Sequence, residues 1–309
     1  MTYYLMRNIK HVESAPVKSG INYRPYIQPE YKLTRPILLV DLFDEDSVFL
    51  GLKMSIQGLI EQEKAIGKLT SASIYVRNLG KGKWFSINPV EQYSPGSIMK
   101  MMILLTYMRM SESSPGLLDR TIVFEQHIDE GVNPTIIGKQ LVSGRTYSVK
   151  ELLRSMIVES NNDAAILLSQ RKNDSIYVKL LKNLNMAVPL VGQQDYPIDV
   201  VQCSRFMRLL YASTFLTPED SEFALELLSK SEFSQGITKS IPDSITVAHK
   251  FGERNSENGF QLHETGIVYL NNSPYLLTVM TKGSDQNTLK ETLDEVSSLV
   301  YQYMSLQAQ

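Results

Sequence analysis

One stretch decides the fold: Glu151-Leu152-Leu153-Arg154-Ser155-Met156-Ile157-Val158-Glu159-Ser160-Asn161-Asn162-Asp163-Ala164-Ala165. The residues Ser148-Val149-Lys150-Glu151 at its start have the form of a capping box, which opens a predicted helix that runs to Val158. A new helix is predicted to begin at Asn162 or Asp163. The turn between the two helices therefore presents a hydroxyl and an amide in one place.

Two further segments carry a hydroxyl and amines, which are groups that can act together with those of this turn. Ser97-Ile98-Met99-Lys100 offers a hydroxyl with an amine one helical turn away, and Lys250-Phe251-Gly252 offers a second ammonium on a predicted strand edge. Each pattern also occurs elsewhere in this chain, at Ser169–Lys172, Ser256–Asn258 and Lys18–Gly20. Only the context of the three segments can therefore choose among them.

Taken together, the three segments suggest acyl transfer through a covalent serine ester. A serine hydroxyl is a poor nucleophile until a base takes its proton. Lys100 lies three residues after Ser97 on a predicted helix, which puts both side chains on one face. An amine acts as a base only if its pKa is lowered, and burial beside a second ammonium such as Lys250 would do that.

The remaining candidate residues surround this pair. Ser160 could relay a proton to a leaving nitrogen, and Asn162 could hold Lys100 or bind the substrate amide. The backbone N–H groups of Ser97 and Glu253 are the expected donors to a developing oxyanion. The predicted substrate-binding residues are Asn162, Phe251, Gly252 and Glu253.

Each segment also has a purely structural interpretation. Ser97 could merely cap its helix. The turn Ser160–Asn162 could be an ordinary helix-to-helix connection, because Ser and Asn favour such positions. Lys250 could be a solvated lysine of the kind that protects an exposed strand edge.

Composition excludes several classes of protein. The chain has 309 residues, 43% of them hydrophobic, a net charge of −2 and a pI near 6.1, which argues against a nucleic-acid binder. Cys203 is the single cysteine, so an intrachain disulfide is impossible, and the four histidines form no visible metal-ligand cluster. No apolar run of about 18 residues predicts a transmembrane helix. The first residues lack the apolar core of a secretory signal, so the protein is either cytoplasmic or had an export or anchor segment removed.

Along the chain, a helical middle lies between two mixed ends. Residues 1–36 are interpreted as an N-terminal arm. An amphipathic helix from Ser47 to about Lys68 and a hairpin of Ser73–Asn78 with Trp84–Asn88 come next. The predicted middle helices are Ser97–Met110, Glu151–Val158, the helix from Asn162, Ile176–Leu184, Val200–Tyr211 and Phe223–Leu228, the last behind a Thr217-Pro218 cap.

The last third returns to strands, predicted at Thr246–Phe251, Thr265–Leu270 and Tyr275–Thr281, and ends in a helix, Leu289–Tyr303. This order predicts an antiparallel sheet built from both chain ends, with an all-helical insertion. The expected domains are 37–96 with 230–309 as an α/β unit, and 97–229 as an all-helical unit.

In this order and context, the three segments resemble the Ser-x-x-Lys, Ser-Asp-Asn and Lys-Thr-Gly set of the serine β-lactamase and penicillin-binding superfamily, and most closely its class A β-lactamase-like branch. The stretches 216–228, 249–252 and 263–269 are similar as well, so the likeness covers roughly residues 36 to 304. It implies an α/β fold of the α+β type, with an antiparallel sheet flanked by terminal helices, an all-α domain, and the active site in the cleft between them.

The resemblance also implies a role for each site residue. Ser97 is expected to be the acylated nucleophile, Lys100 its general base, Ser160 the proton relay, Asn162 a contact to substrate amide and lysine, and Lys250 an electrostatic anchor. No metal and no organic cofactor are implied. The implied partner is a small-molecule β-lactam or a peptidoglycan-like substrate, met outside the cytoplasm by a monomer.

The chain departs from the family pattern at several places. Asn161 stands where the family usually has Asp, and Phe251 where a small hydroxyl residue usually helps to bind a substrate carboxylate. Thr265 lies roughly where class A enzymes often have a carboxylate-binding Arg, a role that Arg254 could take over in space.

The largest departure concerns the base that would hydrolyse the ester. In class A β-lactamases this base is a Glu in an Ω-loop. The matching stretch of this chain, 188–199, has no Glu and is too short to hold the usual Ω-loop. Asp195 and Asp199 in this stretch are interpreted as turn or cap residues, with water activation as the alternative. Three functions stay open: a β-lactam or amide hydrolase, a penicillin-binding or DD-peptidase-like enzyme, and a non-catalytic descendant with Phe251 filling the cleft.

Overall fold

The computed structural model describes residues 32–34, 45–127, 139–189, 196–256, 259–271 and 273–307. Most of the expected N-terminal arm, and Asp195, lie outside these residues. The helices are α1 Leu50–Ala65, α2 Lys100–Ser113, α3 Val149–Val158, α4 Asn162–Ser169, α5 Asp174–Asn183, α6 Val200–Tyr211, α7 Pro218–Leu228 and α8 Gln286–Gln307. The strands are β1 Leu69–Asn78, β2 Trp84–Ile87, β3 Thr121–Val123, β4 Thr146–Ser148, β5 Val247–Ser256, β6 Gly259–Val268 and β7 Tyr275–Gly283.

Five strands form one antiparallel sheet in the order β2-β1-β7-β6-β5. Strand β1, from the first third of the chain, pairs with β7, from the last third, with Ile74 opposite Val279. The predicted sheet built from both chain ends is therefore confirmed. Strand β5, which carries the Lys250 segment, lies at one edge of this sheet.

Alternating residues of the sheet pack into two apolar clusters. Ile74 of β1 belongs to the cluster that contains α1 and α8, whereas Tyr75 belongs to the cluster of the middle helices. Successive strand side chains point to opposite faces, so each face has its own core. Helix α8 contributes fully buried side chains at helical spacing, namely Leu289, Leu293, Val296, Val300 and Met304.

The local signals for helix starts are confirmed. Ser148 and Glu151 form the expected capping box of α3, and Thr217 caps α7 with Pro218 at its first position. The small sheet of β3 and β4 was not predicted, because three-residue strands leave no periodic pattern. Cys203 is buried. Among the described residues, no helix is both long and apolar enough to cross a bilayer.

The predicted helix Ser97–Met110 is confirmed, but its first turn is not α-helical. Ser97 lies in a 3-10 helix, Gly96–Met99, which is called the Ser97 turn below, and α2 begins at Lys100. Gly96 has a left-handed φ of 53°, a conformation that regular right-handed helices exclude. The turn is therefore set by contacts with β5 and not by helix propensity.

Candidate active site

The turn that carries Ser97 lies directly on the backbone of β5. A Cβ added to Gly252 would come within 2.1 Å of the Pro95 carbonyl oxygen, and one added to Gly96 would come within 2.3 Å of the Glu253 carbonyl oxygen. Contacts this close exclude any side chain at either glycine. This packing brings the first and third sequence segments together. Gly252 therefore has a structural role, because the Ser97 turn packs directly against it.

Ser97 is half-buried and lines a cavity. No side-chain cap bond is made at the start of the 3-10 turn or of α2. The alternative interpretation of Ser97 as a helix cap is therefore not supported.

The second segment forms the turn between α3 and α4. Ser160 has a left-handed φ of 54°, and Asn161 caps α4 by accepting from Ala164 N–H at 2.8 Å. The amide of Asn161 also donates to the Lys139 carbonyl oxygen at 3.0 Å. An aspartate could make the first bond but not the second, since a carboxylate has no donor. The departure at this position is thus explained by a bond that only the amide can form.

Lys100 is buried and reaches this turn from the first turn of α2. Its Nζ donates to Asn162 Oδ1 at 2.6 Å and to the Ser160 carbonyl oxygen at 2.5 Å. The Ser160 Oγ lies 3.3 Å from the same nitrogen. Lys100, Ser160 and Asn162 therefore meet as the sequence predicted.

Lys250 reaches the same hydroxyl from strand β5. Its Nζ donates to Ser160 Oγ at 2.9 Å and lies 4.2 Å from the centre of the Phe251 ring. The side chain is fully buried, so the interpretation as a solvated strand-edge lysine is wrong. Burial, and then the charge of Lys100, lower the pKa of Lys250 well below its ordinary value.

A carboxylate–imidazole pair lies behind Lys250. His249 Nδ1 and Glu264 Oε1 are 2.6 Å apart and both side chains are buried, while Ile237 N–H donates to Glu264 Oε2 at 2.7 Å. The sequence showed both residues but gave no signal for their pairing, since they lie in different strands. The charge of Glu264 opposes the lowering of the Lys250 pKa.

The cavity beside Ser97 has a volume of about 510 Å³. It lies between the Ser97 turn, the end of β5, and helices α2, α4 and α5. Its lining residues are Ser94, Pro95, Gly96, Ser97, Met99, Lys100, Ile103, Asn162, Ala165, Ile166, Ser169, Gln170, Tyr177, Tyr196, Glu253 and Arg254. Ser160 and Lys250 are not in this set, and Ser160 adjoins the cavity through its contact with the Lys100 amine.

Phe251 requires a correction. Its ring is 3% exposed, stacks on Phe233 at 4.5 Å between centroids, and belongs to the cluster of α1 and α8. It lies outside the lining of the cavity. The expected substrate contact by its side chain is therefore replaced by a supporting contact to the Lys250 amine. The cleft is also not filled by Phe251.

Thr265, at the position of the family's carboxylate-binding Arg, and Arg254, the residue expected to replace that Arg, differ in position. Thr265 is fully buried and shares a 2.7 Å hydrogen bond with Thr278. Arg254 lines the cavity, as does Glu253, whose Oε2 accepts from Gln286 Nε2 at 2.6 Å. The cavity therefore carries one guanidinium and one carboxylate at its β5 rim.

The lining also includes residues that the sequence did not assign to the site. Tyr177 of α5 and Tyr196 both line the cavity, and burial raises the pKa of Tyr177 to about 12. Asp199 forms a capping box with Gln202 at the start of α6, which confirms its interpretation as a cap. Among the described residues that line the cavity, Glu253 provides the single carboxylate. No sequence motif marked the tyrosines, because Tyr177 on α5 and Tyr196 beyond it reach the cavity only through tertiary packing.

Comparison with known proteins places this arrangement in context. The sequence model of the beta-lactamase enzyme family matches residues 52–304. No protein with a curated description matches the chain.

Solved structures match at low identity. A variant of PBP-A in an acyl-enzyme complex with penicillin G is 18% identical, with a TM-score of 0.68 over 83% of this chain and 97% of the other. The class A beta-lactamase from Mycobacterium abscessus is 21% identical, with a TM-score of 0.67 over 82% and 98%. The TLA-1 extended-spectrum beta-lactamase is 14% identical, with a TM-score of 0.69 over 82% and 98%. At these identities the structures show a shared fold.

Proposed function

This chain belongs to the beta-lactamase enzyme family of serine hydrolases, and from that premise we propose that it forms a covalent ester on Ser97 with a β-lactam or a peptide-like amide. The observation that carries the proposal is the convergence of two amines on one hydroxyl. Lys100 and Lys250 both reach Ser160 Oγ, at 3.3 Å and 2.9 Å, beside the cavity that Ser97 lines.

Acylation begins with removal of the Ser97 proton. Lys100 takes the proton as Oγ attacks the carbonyl carbon, and Ser160 passes a proton from Lys100 to the nitrogen when the C–N bond breaks. Because the pKa of Lys250 is lowered, the two amines around Ser160 need not carry two full positive charges. The bond from Asn162 Oδ1 keeps the Lys100 amine aimed at this hydroxyl.

The developing oxyanion is stabilised by backbone donors. Glu253 lies on β5, the edge strand of the sheet, beside Gly96. We assign its N–H and that of Ser97 to the oxyanion site, since donors fixed before the reaction stabilise charge at low cost. Gly252 contributes by letting the Ser97 turn approach this strand.

The fate of the ester depends on whether a general base lies near it. Ile166 of α4, Tyr177 of α5 and Tyr196 line the cavity, and the one carboxylate among the described lining residues, Glu253, lies on β5. A general base accelerates such a step by roughly 10²- to 10⁴-fold. Slow hydrolysis is therefore expected, which favours a penicillin-binding or DD-peptidase-like enzyme as the second candidate function.

We further propose a monomer that meets its substrate outside the cytoplasm, with 37–96 and 230–309 as one domain and 97–229 as the other. A non-catalytic role receives less support than either enzyme, because the cavity beside Ser97 is open to Lys100 and Asn162 and is not closed by Phe251.

Intact-protein mass spectrometry after mixing with benzylpenicillin tests the proposal. We expect a mass gain in the wild type that is lost in Ser97→Ala. Ser169→Ala is the matched control, because Ser169 lines the same cavity and starts the second Ser-x-x-Lys pattern of the chain. A gain that persists in Ser97→Ala would contradict the assignment, and the decay of the adduct would separate rapid hydrolysis from a long-lived ester.

A further inference from the structure

Both polar groups of one backbone residue next to the site are bonded to side chains of β6. Ser94 lies three residues before Ser97. Its N–H donates to Gln261 Oε1 at 3.0 Å, and its carbonyl oxygen is 3.0 Å from His263 Nε2. Gln261 and His263 are two positions apart on one strand, so their side chains lie on the same face of the sheet.

The surroundings of His263 fix which ring nitrogen carries the hydrogen. Thr281 N–H donates to Nδ1 at 3.2 Å, so Nδ1 is the acceptor and Nε2 donates to the Ser94 carbonyl oxygen. Burial is the main cause that lowers the pKa of His263 to about 3, with a smaller contribution from the charge of Lys282. The neutral ring therefore joins the backbone of β7 to the backbone of the Ser97 turn.

The register of the sheet explains how His263 reaches this turn. His263 lies opposite Gly252 in the pairing of β6 with β5. Because Gly252 has no side chain, the turn lies directly on β5, with the Pro95 carbonyl oxygen where a Cβ would be. Tyr93 closes the other side, with its ring edge-on to the imidazole at 5.3 Å. The imidazole is thus enclosed and held in one orientation.

We propose that His263 is a positioning residue for Ser97, which holds the Ser94 peptide in place and thereby fixes the nucleophile relative to Lys100 and the oxyanion site, with Gln261 as the second holding group. The kinetic part of this inference rests on the proposed acylation of Ser97. Displacement of a reacting group by about 1 Å can slow a reaction by roughly 10²-fold, so a loosened turn has a measurable effect.

Two substitutions at His263 separate its two bonds. His263→Asn keeps an acceptor near the Nδ1 position for Thr281 N–H but loses the donor to Ser94, whereas His263→Gln places an amide donor near the Nε2 position. Thr265→Val is the matched control, because Thr265 is a buried residue of the same strand whose hydroxyl bonds to Thr278 away from the turn.

Acylation by benzylpenicillin is then measured with its rate constant separated from initial binding. We expect the acylation rate constant to fall at least tenfold in His263→Asn and to return to within about threefold of wild type in His263→Gln. It should be unchanged in Thr265→Val. The affinity of initial binding should be the same in all variants. Equal loss in Thr265→Val, or no rescue by His263→Gln, would reduce His263 to a residue of general stability and overturn the proposal.

Hydrogen exchange of the peptide that contains Ser94 to Ser97 provides a readout without any reaction. We expect faster exchange in His263→Asn and in Gln261→Ala, and wild-type protection in Thr265→Val. Gln261→Ala also serves if His263→Asn does not fold, since Gln261 is only half-buried. Absence of acylation in the wild type would contradict the proposed function alone, whereas unchanged exchange in the variants would contradict the positioning role.

Discussion

Lys250 donates a 2.9 Å hydrogen bond to the hydroxyl of Ser160, a residue 90 positions away in the chain. The amine is fully buried, and its pKa is lowered by burial and by Lys100. A buried amine with so few acceptors is costly to stability. Its presence is explained by what it does to Ser160, which is to hold the hydroxyl between two amines.

Replacement of this amine should therefore separate activity from stability. In Lys250→Met we expect acylation by benzylpenicillin to fall about 10²-fold or more, because Ser160 loses the group that orients it. The free energy of unfolding should stay the same or rise, since an apolar side chain of similar length suits the site better. Acylation rate and urea unfolding measure the two effects. Lys282→Met, a half-exposed lysine on β7 paired with Glu91, is the control that should leave acylation intact.

The same amine should make stability depend on pH. In the unfolded chain a lysine titrates near pH 10.4, whereas the folded pKa of Lys250 is lower. Between those two values the unfolded state binds more protons, so the contribution of Lys250 to the free energy of unfolding rises with pH. We expect the stability advantage of Lys250→Met over wild type to shrink as pH increases towards 10.4. A constant difference from pH 6 to pH 10 would show that Lys250 stays charged in the folded protein.

Gly252 should tolerate no side chain. In Gly252→Ala the new Cβ would lie 2.1 Å from the Pro95 carbonyl oxygen and 2.9 Å from Ile98 N, so the Ser97 turn must move. We expect a loss of about 1–3 kcal/mol of stability, typical of overpacking, and slower acylation. Gly51→Ala is the matched control, because Gly51 lies in α1 with nothing within 4 Å of an added Cβ, and it should be stabilised by about 0.5–1 kcal/mol. Thermal unfolding of the two variants measures the difference. Equal changes in stability would contradict the close approach of the Ser97 turn to Gly252.

A carboxylate introduced into the lining of the cavity should shorten the life of the ester. Ile166 lines the cavity one helical turn after Asn162 on α4. In Ile166→Glu we expect the benzylpenicillin adduct to decay at least tenfold faster, because a general base can then activate water. Ile166→Gln has the same shape without the charge and should decay as slowly as wild type. Equal decay of both variants, followed by intact mass, would mean that Ile166 is not near the path of the water.

Local sequence signals were sufficient for most elements. The capping box of Ser148 and Glu151, the Thr217-Pro218 start and the apolar spacing of α8 each depend on residues within one or two turns of each other. The helix at Ser97 was predicted, but its 3-10 geometry was not, because Gly252 and Glu253 on another strand determine it. Strands β5 and β6 are longer than predicted for a related reason. Their pairing continues past the apolar runs from which the strands were predicted.

The sequence was enough to infer the order of the helices and of the five strands of the main sheet, the three segments with Ser97, Ser160 and Lys250, and through them the family. Helical and strand periodicity and short motifs are properties of neighbouring residues, so they can be inferred without the fold. Only the tertiary structure decided that Lys250 is buried, that Phe251 supports it from outside the cavity, and that His263 bonds to Ser94. These facts depend on contacts between residues far apart in the chain, where packing and desolvation, and not spacing, determine the outcome.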